Sequence, residues 1–340
     1  MKKILSMFFC IIIAAFMPGC NQKINKIEYS SDSVISKEQM QPRLINTGTQ
    51  MTPSECLSSV VAISADTISY NSVGSGVCVA DNGLIVTNYH VVSGTDKIRL
   101  YLADGRICSA KLLWKDKSLD IAILRSDVSL PWLKIAQEGD YSIGEEVYAI
   151  GTPLDLNFKH TVTRGVISAT NRTLQVDGEN GYSSMSHLLQ HDASINPGNS
   201  GGPLINTKGE IIGINTIKVE DAEGMGFAIV CDTIMPVIKN YSQNNYQSNG
   251  YLGVFGYDVS LEEYGSNKTG LKIVSIDENS PSYNILNEGE VILSINNQKV
   301  TSYLSLKKAL YTLKAGQDVD LQVTDGNKTY IRTVTLAEKF

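Results

Sequence analysis

Three short segments of the 340-residue chain each place one polar side chain beside an apolar run. Ser200 stands in the glycine-rich stretch 198–204 (GNSGGPL), His90 follows an apolar strand in TNYHVV, and Asp120 begins LDIAIL. A serine hydroxyl becomes an effective nucleophile when a histidine takes its proton, and that histidine needs a carboxylate to fix its tautomer. Glycines around the serine let the backbone approach a carbonyl group and hold a developing oxyanion. The three residues therefore predict nucleophilic catalysis at a carbonyl.

Two other aspartates compete with Asp120 for the role of the acid. Asp192 lies only eight residues before the serine, too near for the acid that should orient His90. Asp116 lies among lysines and is expected to be solvated, whereas Asp120 abuts the run IAIL and can be partly buried. The order His90, Asp120, Ser200 is one of the known orders of such a triad. The remaining histidines have no spacing that suggests a metal site: His160, His187 and His191.

The elements that must position these residues are short β-like runs. Between residues 57 and 235 they are separated by Gly, Asn and Asp: SSVVAIS, GSGVCVA, GLIVTNYHVV, KIRLYL, LDIAILR, EEVYAIG, TVTRGVIS, EIIGINT and GFAIV. Asp81-Asn82-Gly83 between two runs is a strong hairpin signal. Closely spaced strands with few helical stretches predict an all-β barrel or sandwich domain.

A polar segment separates a second, smaller domain. Residues 240–249 contain no aliphatic side chain and read as a linker. After it come further strands and one amphipathic helix near residues 302–313, with Leu306, Leu310 and Leu313 on one face. The expected layout is a leader at 1–19, a tether at 20–52, a first domain at 53–239, the linker, and a mixed domain at 250–340.

The motifs together resemble a known family. TNYHVV, SLDIAILR, QHDASINPGNSGGPL, GEIIGINT and GMGFAIV resemble, in order, the HtrA/DegP group of trypsin-like serine proteases, over about residues 55–340. The resemblance implies a mostly β fold, a chymotrypsin-like double β-barrel with its active site between the barrels. It also implies that Ser200 is the nucleophile, His90 the general base and acid, and Asp120 the orienting carboxylate. The oxyanion hole would comprise Gly198, Asn199 and Ser200, through the N–H groups of the first and last.

The resemblance also suggests where the substrate side chain binds. In trypsin-like folds the residue six before the nucleophile lies at the base of the primary specificity pocket, and here it is Ser194. No carboxylate is available there to pair with a buried basic side chain, so small or medium apolar residues are expected at the cleaved position. The expected pocket residues are Ser194, Ile195, Ile214, Asn215 and Thr216.

The second domain resembles a PDZ domain, a small α+β peptide-binding module. Gly250-Tyr251-Leu252-Gly253-Val254 is similar to its carboxylate-binding loop. Consecutive backbone N–H groups in such a loop hold a peptide's C-terminal carboxylate while the peptide adds a strand to the sheet. The expected groove residues are Tyr251, Leu252, Gly253, Val254 and Leu310, although Leu310 serves equally well as a helix-core residue. The layout is closer to the DegS-type, membrane-anchored members with one PDZ domain.

The N-terminus predicts export with a lipid anchor. Lys2 and Lys3 precede an apolar run from Ile4 to Met17 that is too short to span a bilayer but fits a signal sequence. The run ends in MPGC, which resembles the lipobox of bacterial lipoproteins, so Cys20 is the expected lipidation site. The expected location is the bacterial periplasm, on a membrane.

Composition narrows the function further. A formal net charge of −6 gives no basic footprint for nucleic acid, and six cysteines are too few for a disulfide scaffold, so we expect buried thiols. No cofactor or metal is expected. Expected partners are polypeptide substrates, either unfolded proteins or membrane-anchored regulators, and peptide C-termini; a homotrimer is implied only by resemblance. The first hypothesis is a serine endopeptidase in protein quality control or stress response. The alternative is a chaperone or sensor with minor proteolysis.

Overall fold

The computed structural model describes residues 52–66, 71–94, 97–152, 160–178, 181–196, 198–218, 224–243, 249–260 and 269–338. The predicted leader, Cys20 and the tether up to residue 51 lie outside the described residues. Within the described ranges, no helix is both long enough and apolar enough to cross a membrane.

Six antiparallel strands form a first closed barrel in the order β1-β2-β3-β6-β5-β4. Their bounds are β1 Val60–Asp66, β2 Asn71–Ala80, β3 Leu84–Thr87, β4 Ile98–Tyr101, β5 Ile107–Asp116 and β6 Ile121–Ser126. Helix α1 (Pro53–Cys56) and a 3-10 turn lead into β1, and the short helix α2 (Tyr89–Val92) follows β3. The predicted hairpin at Asp81-Asn82-Gly83 joins β2 to β3. Strand β4 shows the expected alternation, with Ile98 and Leu100 buried and Arg99 exposed.

A second closed barrel follows in the order β10-β11-β12-β9-β8-β7. Its strands are β7 Glu146–Gly151, β8 Thr161–Gly178, β9 Gly181–His191, β10 Pro203–Asn206, β11 Ile211–Lys218 and β12 Gly226–Val230. One apolar cluster includes side chains of both barrels, such as Val86 and Ile150, so the barrels share a core. The predicted double β-barrel is therefore confirmed.

Helix α3 (Met235–Ser242) returns from the second barrel to the first. The Tyr241 carbonyl accepts a hydrogen bond from the Arg125 guanidinium (2.9 Å), and its hydroxyl donates to the Leu113 carbonyl (3.2 Å). Tyr241 is 8% exposed. The first residues of the predicted linker, 240–242, are therefore helical and packed on the barrel, because Tyr241 supplies an apolar ring that the search for aliphatic residues passed over.

The second domain holds a curved antiparallel sheet, a two-stranded sheet and one long helix. Helix α4 spans Tyr303–Thr312, close to the predicted bounds, and Ser302 caps it by accepting the Ser305 N–H (3.1 Å). Its face with Leu306 and Leu310 is buried in the domain core. The strands are β13 Gly250–Tyr251, β14 Val254–Ser260, β15 Thr269–Ile276, β16 Val291–Ile295, β17 Gln298–Lys299, β18 Asp318–Thr324, β19 Thr329–Thr335 and β20 Ala337–Glu338.

The prediction that Asp116 is solvated is wrong. Its side chain is 2% exposed, and its carboxylate lies 2.9 Å from the Lys307 ammonium of α4 and accepts the Tyr311 hydroxyl at 2.7 Å. We call Asp116, Lys307 and Tyr311 the interdomain cluster. Burial alone would lower the Lys307 pKa, but the charge of Asp116 outweighs it and holds that pKa above its ordinary value. The neighbouring lysines in sequence gave no sign of this partner in the other domain.

The cysteines of the described residues are free thiols. Cys56, Cys78 and Cys231 are buried, and Cys108 is partly buried. Burial raises the pKa of Cys78 to about 12, so this thiol stays protonated and behaves as a small apolar side chain. The expectation of buried thiols is therefore confirmed for three of the four cysteines.

Candidate active site

His90 and Asp120 come from two neighbouring strands of the first barrel. Strand β3 ends at Thr87 and the chain turns into α2, which carries His90; Asp120 precedes β6 and has a positive φ of 53°. Its side chain accepts the backbone N–H of His90 (2.9 Å) through Oδ1 and lies 2.8 Å from ring Nδ1 through Oδ2. Because a carboxylate only accepts hydrogen bonds, Nδ1 carries the proton and Nε2 is left as the basic nitrogen.

Two further contacts hold the Asp120 backbone in this unusual conformation. Its carbonyl accepts hydrogen bonds from the Asn88 side-chain amide (2.9 Å) and from the Tyr89 N–H (3.1 Å). A non-glycine residue with positive φ needs such support because the left-handed region is sterically unfavourable. The strain is retained here because it aims the carboxylate at the histidine.

Ser200 and Asp120 meet at one residue of the second barrel, Thr216. The Ser200 hydroxyl donates to the Thr216 carbonyl (3.0 Å), and the Thr216 hydroxyl donates to Asp120 Oδ2 (2.9 Å). The carboxylate therefore receives one hydrogen bond from the histidine ring and one from this threonine. The arrangement brings the predicted nucleophile within one residue of the histidine–aspartate pair. Among the described residues the Ser200 hydroxyl bonds to this carbonyl and not to the imidazole, so it must rotate away from Thr216 before it can give its proton to His90.

Ser200 lies in a tight turn whose backbone forms hydrogen bonds within the turn and with β11. The Gly202 N–H donates to the Asn199 carbonyl (3.0 Å), and the Gly201 N–H donates to the Asn215 carbonyl (2.9 Å). Gly201 has a φ of +84°, and a Cβ there would stand 2.1 Å from the carbonyl oxygen of Ser75. Only glycine fits this position, which explains why the serine is followed by one.

The residues predicted to line the specificity pocket fall into two groups. Ser194 is exposed, whereas Ile195 and Thr216 are buried, Ile195 within an apolar cluster of the second barrel. Ile214 is fully buried in the shared core, and the Asn215 amide donates to the Gly202 and Pro203 carbonyls at 3.1 and 2.9 Å. The side chains of Ile214 and Asn215 thus contact packed structure behind the turn, and the assignment of the five residues to the pocket stays a prediction.

His191 lies at the end of β9, fully buried near the start of β12. Within the described residues neither of its ring nitrogens has a hydrogen-bond partner, and a Cβ on Gly226 would stand 2.7 Å from its Cε1. Burial lowers the pKa of His191 to about 4, against the opposing charge of Asp192. It is a neutral core histidine. Asp192 itself accepts the Val166 N–H at 2.6 Å and is not the partner of His90.

The predicted peptide loop of the second domain borders a cavity of about 600 Å³. Leu252, Gly253, Val254 and Leu310 line it, together with Tyr251, whose hydroxyl donates to Asp277 (2.8 Å). Gly253 has a φ of +78°. The opposite wall belongs to the first domain and includes Trp114 and Lys115. The cavity therefore brings the loop residues and Leu310 together and adds a wall from the other domain.

Sequence reasoning missed two sets of contacts, one in the active site and one in the interdomain cluster. The hydrogen bond from Thr216 to Asp120 joins residues of different barrels, so no local pattern announces it. Lys307 and Tyr311 are four residues apart on one face of α4, a spacing that the helix prediction contained, but their acidic partner could not be found from the helix alone.

Comparison with known proteins agrees with the two-domain fold. The family model of the trypsin-like peptidase domain matches residues 74–214, and the family model of the PDZ domain matches residues 250–336. The Serine protease Do-like HtrB of Bacillus subtilis is 38% identical over 279 residues, which cover 76% of this chain and 60% of that protein. A "Probable periplasmic serine endoprotease DegP-like" of Halomonas elongata is 38% identical over 276 residues, covering 78% and 56%. The chain thus spans less than two thirds of these relatives.

Solved structures cover their counterparts more fully. The serine endoprotease from Yersinia pestis is 31% identical, with a TM-score of 0.60, and the match covers 84% of this chain and 96% of that one. The HtrA-type protease AlgW with a tripeptide is 29% identical, with a TM-score of 0.66 and the same coverage. With both domain matches in the family's order, this chain belongs to the HtrA-type trypsin-like serine proteases with one PDZ domain.

Proposed function

We propose that this protein is an extracytoplasmic serine endopeptidase that cleaves unfolded or regulatory proteins. The observation that carries the proposal is the link that Thr216 makes between Ser200 and Asp120, whose carboxylate in turn binds the His90 ring. A protein that only bound clients would need neither the oriented imidazole nor the strained aspartate beside it.

The chemistry follows from the arrangement. The Ser200 hydroxyl leaves the Thr216 carbonyl, gives its proton to His90 Nε2 and attacks the substrate carbonyl carbon. Backbone N–H groups of Gly198 and Ser200 stabilise the oxyanion, and the imidazolium then protonates the leaving amine. Water repeats the sequence on the acyl-enzyme and restores the serine. Asp120 stays ionised throughout and stabilises the imidazolium.

Small or medium apolar side chains are the proposed preference at the cleaved position. Ser194, the residue six before the proposed nucleophile, is exposed and offers no charge to a basic side chain. Burying an unpaired lysine or arginine there would be strongly unfavourable.

The second domain is proposed to bind peptide C-termini and thereby tether substrates or activate the protease. The loop with Gly253 and the helix face with Leu310 border one cavity, which is large enough for a short peptide segment. Because Trp114 and Lys115 form its other wall, a bound peptide would touch both domains.

Location and assembly rest on sequence and on relatives. Several relatives are named periplasmic, which supports an exported protein, and Cys20 stays the proposed lipidation site. A homotrimer and a role in stress response remain proposals, as do the domain limits at 53–239 and 250–340.

The test is degradation of casein by the purified protein and by Ser200→Ala, each with and without peptides ending in apolar residues. Degradation by the wild type alone is expected. Equal degradation by both proteins would contradict the proposal. No degradation by either, with casein kept from aggregating, would favour the chaperone or sensor hypothesis.

A further inference from the structure

Ser75 in β2 is a fully buried residue of the first barrel that touches the nucleophile turn of the second. Its backbone N–H donates to the Ser200 carbonyl (2.8 Å), and its side-chain hydroxyl donates to the Gly198 carbonyl (2.8 Å). The same hydroxyl accepts the Thr152 N–H (2.8 Å), and the Ser75 carbonyl accepts the Thr87 hydroxyl (2.6 Å). Both donors of Ser75, and its hydroxyl and carbonyl oxygens as acceptors, thus have partners.

The contacts of Ser75 are made to the same two residues that form the proposed oxyanion hole. The two N–H groups assigned to it belong to Gly198 and Ser200, and Ser75 holds the carbonyls of both these residues. Gly198 has a φ of +102°, a conformation from which the turn can rotate unless it is held. Packing adds to the hold, because a Cβ on Gly151 would stand 2.8 Å from Asn199 Cα and 3.0 Å from Ser75 Oγ.

We infer that Ser75 is a positioning residue that fixes the Gly198–Ser200 turn so that its two N–H groups converge on the oxyanion. The inference rests on the proposed function, and Ser75 itself does not touch the substrate. Without the hydroxyl, the Gly198 carbonyl loses its donor and the Thr152 N–H loses its acceptor, so the turn is no longer tied to both barrels.

The kinetic signature of such a role differs from that of ordinary stabilisation. Preorganised donors act on charge that develops in the transition state, so their loss lowers kcat while substrate binding changes little. Removal of one oxyanion donor lowers kcat roughly 10²- to 10³-fold, and loosening a donor through its support should lower it about 10- to 100-fold.

The test compares Ser75→Ala with Ser75→Thr, which keeps the hydroxyl, and with Ser75→Cys, which offers a weaker donor. Ser126→Ala is the matched control, because Ser126 is a buried serine of the same barrel that accepts the Val128 N–H (3.1 Å) far from the nucleophile turn. Each variant is assayed on a chromogenic peptide with a small apolar residue at the cleaved position. Inhibition by a peptide aldehyde, whose adduct with Ser200 carries an oxyanion, is measured against the matching alcohol.

The expected result for Ser75→Ala is a kcat lowered about 10- to 100-fold, a KM within about threefold of wild type, and an equal loss of affinity for the aldehyde but not the alcohol. Ser75→Cys should lie between Ser75→Ala and wild type, Ser75→Thr should regain most activity, and Ser126→Ala should match wild type. Should Ser75→Ala fail to fold, Ser75→Cys decides. If the decisive variant (Ser75→Ala, or Ser75→Cys where the alanine variant does not fold) keeps the kcat and the aldehyde affinity of the wild type, the inference on Ser75 is wrong and the proposed function stands. If the wild-type protein shows no hydrolysis that depends on Ser200, the proposed function is wrong as well.

Discussion

The interdomain cluster should contribute more to stability than the two ion pairs that the adjacent Lys308 forms with Glu138 and Asp232. Lys307 is 11% exposed and its partner Asp116 is 2% exposed. Lys308 is 20% exposed and lies 2.6 Å from Glu138, which is 75% exposed. The two lysines are adjacent, so the same substitution to methionine can be compared at both positions with the helix otherwise unchanged.

The magnitudes follow from burial. Removing one partner of a buried pair leaves an uncompensated charge and destabilises by about 3 to 5 kcal/mol. Asp116 keeps three donors after Lys307→Met, the Tyr311 hydroxyl and the N–H and hydroxyl of Ser118, so the lower value of about 3 kcal/mol is expected. Lys308 has a solvated partner, Glu138, and a second partner, Asp232, that lies 3.5 Å away and is 11% exposed. Because the contact with Asp232 is longer and that with Glu138 is solvated, Lys308→Met should cost less than Lys307→Met, about 1 to 2 kcal/mol.

Trp114 supplies the assay. Its ring lies edge-on to the Tyr311 ring, with the centroids 5.3 Å apart, so its fluorescence reports on this interface. The chain has two tryptophans, and Trp132→Phe leaves Trp114 alone. Urea unfolding in that background gives the free energy for each variant, and a double-mutant cycle with Asp116→Asn isolates the coupling between Asp116 and Lys307.

The cycle has a definite expected outcome. The double variant Asp116→Asn, Lys307→Met should be more stable than Lys307→Met alone, because no buried charge is left without its partner. Equal effects of Lys307→Met and Lys308→Met, or a coupling energy near zero, would refute the assignment of a buried interdomain ion pair.

Three further expectations concern single groups. Thr216→Val should lower kcat/KM about 10-fold or more by removing a hydrogen bond to the Asp120 carboxylate, whereas Thr216→Ser should not. The pKa of His191 is about 4 in the folded state and 6.5 in the unfolded state, so the unfolded chain takes up a proton first as the pH falls between these values. The free energy of unfolding should therefore fall by about 3 kcal/mol between pH 7 and pH 4. Urea titrations at the two pH values measure this difference, and His191→Asn should reduce it. Gly253→Ala should abolish peptide binding, measured by fluorescence anisotropy, because the added Cβ would stand 2.0 Å from the Cβ of Ser280. Gly316→Ala is the control, because an added Cβ there meets no atom within 4 Å and causes only backbone strain.

Each of these expectations can fail plainly. Unchanged kcat/KM in Thr216→Val would mean that the ring and the backbone N–H of His90 suffice to orient Asp120. A pH dependence identical in wild type and His191→Asn would place the proton uptake elsewhere. Equal peptide affinity in Gly253→Ala and Gly316→Ala would show that the loop containing Gly253 does not bind the peptide.

The features that could be predicted from the sequence are those that depend on the residues of one short segment alone. Ser200, His90 and Asp120 each lie where a regular strand meets a turn, so the strand period and the glycines located them, and the helix at residues 302–313 followed from its leucine spacing. Thr216 and Ser75 could not be found in this way. Their hydroxyls act across the seam between the barrels, and the period of a strand does not say which carbonyl or carboxylate a distant side chain will meet.

The error on Asp116 has the same physical origin. Asp116 was judged by the lysines beside it in sequence, although the environment of a buried charge is decided by its partners in space, here on α4.

The division of the active centre between the barrels also bears on how the chain is made. His90 and Asp120 are synthesised with the first barrel, and Ser200 and Thr216 follow only with the second. A nascent chain that has folded only its first half carries the proposed base and its orienting carboxylate but lacks the proposed nucleophile. On the proposed mechanism, hydrolysis can begin only after the second barrel has placed the Gly198–Ser200 turn against Ser75, so a half-made molecule cannot cleave its own unfolded segments.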